Sequence, residues 1–132
     1  MVPIKILEAQ AFWSHEQELE DKDSIGQIAA QFSGIPPIHD HEGSLTLTTS
    51  YLSINGETDL IIQLSDIDQL YLGFDEVYRR NFIKNFGLTC QPLRITYSNS
   101  LKAEVVYIIA DYNFVGCAMT EQLFNQIHDL LS

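Results

Sequence analysis

The sequence predicts a mainly β fold, built of antiparallel strands and closed by one C-terminal α-helix. Two patterns carry that expectation. From Gly43 onward apolar residues recur at every second position, at Leu45 and Leu47, Leu52 and Ile54, Leu60, Ile62 and Leu64, then Leu93, Ile95 and Tyr97. That is the period of half-buried strands. Between Thr120 and Leu131 the spacing changes, and Leu123, Phe124, Ile127, Leu130 and Leu131 fall on one helical stripe. A chain of 132 residues, 45% of them apolar, can bury one core without staples. One domain over residues 1–132 is expected.

Taken in order, Val2, Ile4 and Ile6 alternate and Leu7 follows, so a short first strand is expected. Residues 14–23 carry five acids and read as an exposed helical turn or a loop. Ile25, Ile28, Ala29 and Phe32 have helical spacing, while Gly26 and the β-branched neighbours leave a strand open. Residues 1–42 are therefore either an N-terminal extension or the first strands. Gly34-Ile-Pro36-Pro37 breaks the chain. The apolar phase shifts between Leu47 and Leu52, which places a tight turn at Thr49-Ser50. Asn55-Gly56 is the strongest short hairpin signal, because both residues tolerate the positive φ of a type I′ turn.

Ile67, Leu70 and Leu72 suit a further strand, and Gly73–Gly87 interrupts the pattern. There Phe74, Val77, Tyr78, Phe82 and Phe86 recur at helical intervals, with Asp75 and Glu76 first and Arg79, Arg80 and Lys84 later. That order suits a helix dipole and predicts a short amphipathic helix or a structured loop. Strands resume at Leu93, turn at Ser98-Asn-Ser100, and return through Val105, Tyr107 and Ile109. Thr120 is placed to cap the last helix, and Glu121 suits its first turn.

The net charge of −11 is unevenly placed: residues 1–76 hold 14 acids against Lys5 and Lys22, whereas residues 77–132 are nearly neutral. Such acidity repels phosphate backbones and anionic lipid, which argues against nucleic-acid and membrane-surface partners. There is no long apolar run for a membrane span, and Met-Val-Pro-Ile-Lys lacks the apolar stretch of a signal peptide. A cytoplasmic location is the expectation. Cys90 and Cys117 lie 27 positions apart among apolar neighbours, in no CxxC or CxxH pattern. They read as two idle thiols rather than a disulfide or a zinc site.

Gly43-Ser-Leu-Thr-Leu-Thr-Thr-Ser-Tyr-Leu-Ser-Ile resembles the opening hairpin of GRAM and related pleckstrin-homology-like domains, a Gly-x-Leu-x-Leu-Thr strand, a tight turn and a second apolar strand. Leu60-Ile-Ile-Gln-Leu-Ser-Asp-Ile is similar to their following strand-to-strand step, and Leu93-Arg-Ile-Thr-Tyr and the final helix fall in the matching order. The resemblance covers about residues 43–132. It implies a partly open β-barrel of antiparallel strands capped by the helix, and a non-catalytic module that binds lipid headgroups, peptides or protein surfaces. Fold alone does not fix which.

The site candidates follow from residue types. Four aromatics, Phe74, Tyr78, Phe82 and Phe86, fall on one short segment, so residues 73–87 are the expected contact surface for a protein partner or a second copy. Arg79, Arg80 and Lys84 offer an alternative anion or headgroup site, with Arg80 and Lys84 sharing a helical face. The first hairpin, Ser44 to Ile54, holds no base, which weighs against headgroups. His39-Asp40-His41-Glu42 is the one metal candidate: in an extended segment both imidazoles would share a face, and zinc would need a further ligand. A polar turn entering the strand at Gly43 is the plainer reading, so no metal and no cofactor is expected. Neither G-x-S-x-G nor a phosphate-binding loop occurs, and the chain is not expected to be an enzyme.

Overall fold

Seven strands form one antiparallel sheet in the computed structural model, which describes residues 3–20, 39–79, 90–100, 102–113 and 116–132. They are β1 (Lys5–His15), β2 (His41–Thr48), β3 (Tyr51–Gly56), β4 (Leu60–Gln63), β5 (Ile67–Leu72), β6 (Leu93–Asn99) and β7 (Lys102–Ala110). Two helices complete the described chain, α1 (Glu16–Glu20) and α2 (Ala118–Leu131). The order across the sheet is β4-β3-β2-β1-β7-β6-β5, so β1 joins two meanders.

The outermost strands β4 and β5 are consecutive in sequence, separated only by the 3-10 turn Leu64–Asp66. Four peptide steps span at most about 14 Å, whereas a flat seven-stranded sheet would be about 29 Å wide. The sheet must therefore curl until its two edges come near each other. Its concave side holds the main core: Trp13 from β1, Leu45 and Leu47, Leu52 and Ile54, Leu60 and Ile62, Leu93 and Ile95, Val106 and Ile108, with Leu123 and Ile127 of α2.

Local chemistry explains the elements. Ile6 is the extra residue between the pairs Lys5↔Thr48 and Leu7↔Leu47, a bulge that lets Ile6 and Leu7 both lean on the core. The Thr49-Ser50 turn forms as expected. Thr48 Oγ1 accepts the Ser50 and Tyr51 amides at 3.1 and 3.0 Å, a side-chain mimic of a backbone turn. Gly43 faces Gly56 across β2 and β3, and a Cβ on either would collide with the opposite backbone. Only glycine permits that approach.

Several expectations need correction. The first strand runs to His15, eleven residues, because Ala9, Ala11 and Trp13 continue the inward phase beyond the obvious aliphatics. Residues 14–23 begin with the last two residues of β1 and the short helix α1, whose Leu19 is buried; residues 21–38, including the ambiguous stretch 24–32, lie outside the described residues. Asn55-Gly56 makes no type I′ turn. Both stay in β3, paired with Ser44 and Gly43, and the reversal falls at Glu57-Thr58-Asp59, where Asp59 Oδ1 accepts the Gly56 amide at 3.1 Å. The positive φ belongs instead to Ser100 (50°), between Asn99 and Lys102.

In β7, Val106, Ile108 and Ala110 face the concave core, while Tyr107 and Ile109 are buried on the other side. The alternation Val105, Tyr107, Ile109 thus marks the outer face of a strand covered on both. Thr120 is the third residue of α2 and does not cap it. Its buried hydroxyl accepts the Ala110 amide at 2.8 Å and donates to the Ala110 carbonyl at 3.3 Å, riveting the helix to the end of β7. Leu123 and Ile127 are wholly buried, Phe124 and Leu130 partly, and Leu131 is exposed.

The idle-thiol reading is overturned. Cys90 and Cys117 form a disulfide, with Cα atoms 5.0 Å apart. Their apolar neighbours said nothing about proximity; the hairpin β6–β7 sets it. Leu93 lies opposite Ile108 at the hairpin's open end, and Thr120 ties the start of α2 back to Ala110, which returns residue 117 to the neighbourhood of residue 90.

Candidate functional site

Among the described residues, polar side chains gather on the outer face of β6 and β7, around the end of β1, and in a groove between β4 and the β6–β7 hairpin. The first surrounds Asp75. Gly73 turns the chain away from β5 with φ 146°, and its amide is held by the Pro92 carbonyl at 2.9 Å. Asp75 Oδ1 then accepts the Val77 and Tyr78 amides at 2.9 and 2.8 Å, while Oδ2 accepts Arg94 Nη1 at 2.9 Å and the Tyr107 hydroxyl at 2.7 Å. Burial alone would raise the Asp75 carboxyl, but the bonds from Tyr107, Tyr78, Arg94 and Val77 outweigh it and leave the group below the usual aspartate range. Burial, with the Asp75 hydrogen bond, pushes the Tyr107 phenol up. A carboxylate has about four acceptor positions, and all four are used within the fold. This cluster fastens residues 73–79 to the sheet.

Residues 73–79 contain no helix, and their aromatics face inward. Tyr78 is 2% exposed and packs on Tyr107 with ring centroids 5.6 Å apart; Phe74 and Val77 lean on the same outer cluster with Leu19, Ile109 and the disulfide. Tyr78 is therefore not a surface residue. Arg79 is exposed, and Arg80, Phe82, Lys84 and Phe86 lie outside the described residues. The structure thus brings together only the docked base of the expected contact surface.

At the end of β1 the two candidate histidines part company. His39 stacks on Phe12 at 4.1 Å, whereas His41 packs against Trp13 at 4.3 Å. Phe12 and Trp13 point to opposite faces of β1, so the imidazoles do too. A bend at Asp40 breaks the extended geometry on which a shared face depended. His41 Nε2 lies 2.7 Å from Glu18 Oε2, and His39 Nε2 lies 3.6 Å from Glu42 Oε2. Among the described residues no three His, Cys, Asp or Glu side chains converge as a metal site. The two candidate histidines do not share a face.

The groove was not foreseen. It has a volume of about 460 Å³ and runs between the edge strand β4 and the turn end of the β6–β7 hairpin. On one bank are Asp59 to Gln63 and Asp66; on the other are Tyr97 to Asn99 and Glu104, with His15 and Gln17 at the end of β1. Among the described residues neither β4 nor β5 has a second strand partner, and Ile61 is 60% exposed on β4. Burial together with Glu104 pushes the Tyr97 phenol up to about 12, so it is neutral and can donate a hydrogen bond at ordinary pH. The only sequence signal for the groove was the short Leu64–Asp66 link between two strands, and its importance depends on a pairing order that the sequence does not state.

The chain matches no protein-family model and no curated protein.

Proposed function

We propose that the chain is a non-catalytic recognition module of pleckstrin-homology-like architecture whose partner is a protein. The antiparallel strands, the curl and a C-terminal helix with Leu123 and Ile127 in the concave core support that architecture, since the resemblance of residues 43–132 implies a partly open barrel capped by a helix. One observation carries the recognition reading: among the described residues β4 pairs only with β3, and it lines a groove whose other bank is the β6–β7 hairpin. Unpaired strand edges are templates for another extended chain. The densest polar cluster, around Asp75, spends its hydrogen bonds on the fold, which supports a non-catalytic role. The segment 73–87 keeps a place in this proposal as a second contact surface for the partner.

A cytoplasmic location belongs to the same proposal, and the disulfide bears on it. In a reducing compartment Cys90 and Cys117 would stand mostly as thiols, so the bond weighs against that location. Among the described residues no helix is long and apolar enough to cross a membrane.

Two assays test the function together. Sedimentation with phosphatidylserine-containing vesicles at physiological salt should leave the protein in solution, because a net charge of −11 opposes the roughly 1 kcal/mol that each base gains at an anionic surface. NMR titration with short extended peptides of basic, neutral and acidic composition should shift amides at 59–63 and 97–99 for at least one class. Vesicle binding that Arg79→Glu/Arg80→Glu abolishes would replace this reading with headgroup binding. Silence from every peptide class would remove the recognition role.

A further inference from the structure

We infer that the groove between β4 and the β6–β7 hairpin takes an extended peptide segment bearing Lys or Arg at alternate positions, an inference that rests on the recognition reading above. The backbone and the charge supply separate reasons. β4 is only four residues long and, among the described residues, pairs on one side, with β3. Its other side faces the groove, so an incoming strand can form main-chain hydrogen bonds there. The room is adequate: about 460 Å³ lies within the roughly 300–1,000 Å³ of established ligand pockets.

Charge selects the occupant. Asp59 immediately precedes β4 and Asp66 follows it by three residues, so two carboxylates bracket the edge. Glu104 stands on the opposite bank. Lys102 reaches Glu104 only at 3.8 Å and is itself mostly exposed. An extended segment presents side chains to one face at every second residue, and cationic groups at that spacing meet carboxylates on both banks. A second copy of the chain fits poorly, because it would bring another −11 and the same acidic banks together. Steering by this field also speeds the encounter with a basic partner and makes it salt-dependent.

The test uses the whole protein and two synthetic peptides, one alternating lysine with valine and the other alternating glutamate with valine. The basic peptide should bind, shifting amides at 59–63 and 97–99, and the acidic one should not. Asp59→Asn/Asp66→Asn/Glu104→Gln should weaken the basic peptide about tenfold, as expected for three partly exposed ion pairs, with an unchanged melting temperature. Methylating alternate backbone nitrogens of the peptide should abolish binding without touching the protein. Equal binding of both peptides at the same amides would overturn the charge selection while leaving the recognition module intact. Unchanged binding of the methylated peptide would overturn strand pairing. No binding of any peptide would mean that the carboxylates only guard an exposed edge, and both readings would fall.

Discussion

The two faces of β7 are covered by different means. On the concave side Val106, Ile108 and Ala110 meet aliphatic residues from β1–β4, β6 and α2, and almost everything there is hydrophobic packing. On the convex side Tyr107 and Ile109 lie under Leu19, Tyr78 and a disulfide, and the cover is fastened by the four hydrogen bonds of Asp75. The inner layer is made by area, the outer layer by a few specific links. That difference predicts where the molecule yields to a given insult.

The largest effect should come from removing α2. Truncation after Met119 deletes Leu123 and Ile127, both wholly buried, together with Phe124, Leu130 and Leu131. Full burial of one such side chain is worth roughly 1.5–3 kcal/mol, and a domain has only about 5–15 kcal/mol in total. The truncated chain should be unfolded or aggregated by circular dichroism and size exclusion. A cooperative melt would show that the concave core stands without the helix.

The inner layer was legible because area writes itself as a period. Leu45, Leu47, Leu52, Ile54, Leu93, Ile95, Leu123 and Ile127 were all placed by spacing, and all are buried. The outer layer was not legible, because its links join residues distant in sequence. Asp75 meets Arg94 and Tyr107 across 19 and 32 positions, and Cys90 meets Cys117 across 27. Local rules misled where tertiary pairing decides. Asn55-Gly56 has the composition of a turn but serves as strand because Gly43 must approach Gly56. His39 and His41 have the spacing of one face but are divided by the bend at Asp40. The groove depends on sheet order, which no alternation of residues encodes.

A smaller effect is expected in the outer layer. Asp75→Asn leaves Arg94 without its carboxylate and one turn amide or hydroxyl poorly matched, which should cost about 2–3 kcal/mol by urea denaturation. The pH dependence has a definite sign. The folded carboxyl lies below the usual aspartate range, so its contribution is complete at neutral pH and is lost as pH falls below about 4. The mutant should therefore lose less stability than the native protein over that acid window. Identical acid profiles would remove Asp75 from the linkage. Smallest of all, EDTA should leave the melting temperature unchanged, since the His39 and His41 rings face opposite sides of β1. A drop of several degrees would reveal a metal that contributes to folding.

The contrast between the two layers is tested most directly by reducing the disulfide and recording contacts by NMR. Opening a 27-residue loop removes roughly 3–4 kcal/mol in the chain-entropy model, but the geometric consequences should be one-sided. In the reduced protein, contacts of Tyr78 with Tyr107 and of Leu19 with the same cluster should weaken or broaden, while the cross-strand pairs Leu52↔Ile62 and Leu47↔Leu52 stay as they are. Loss of both sets would mean that the sheet itself depends on the disulfide, and persistence of both that the outer layer does not. Either result would contradict the division of the molecule into a packed side and a fastened one.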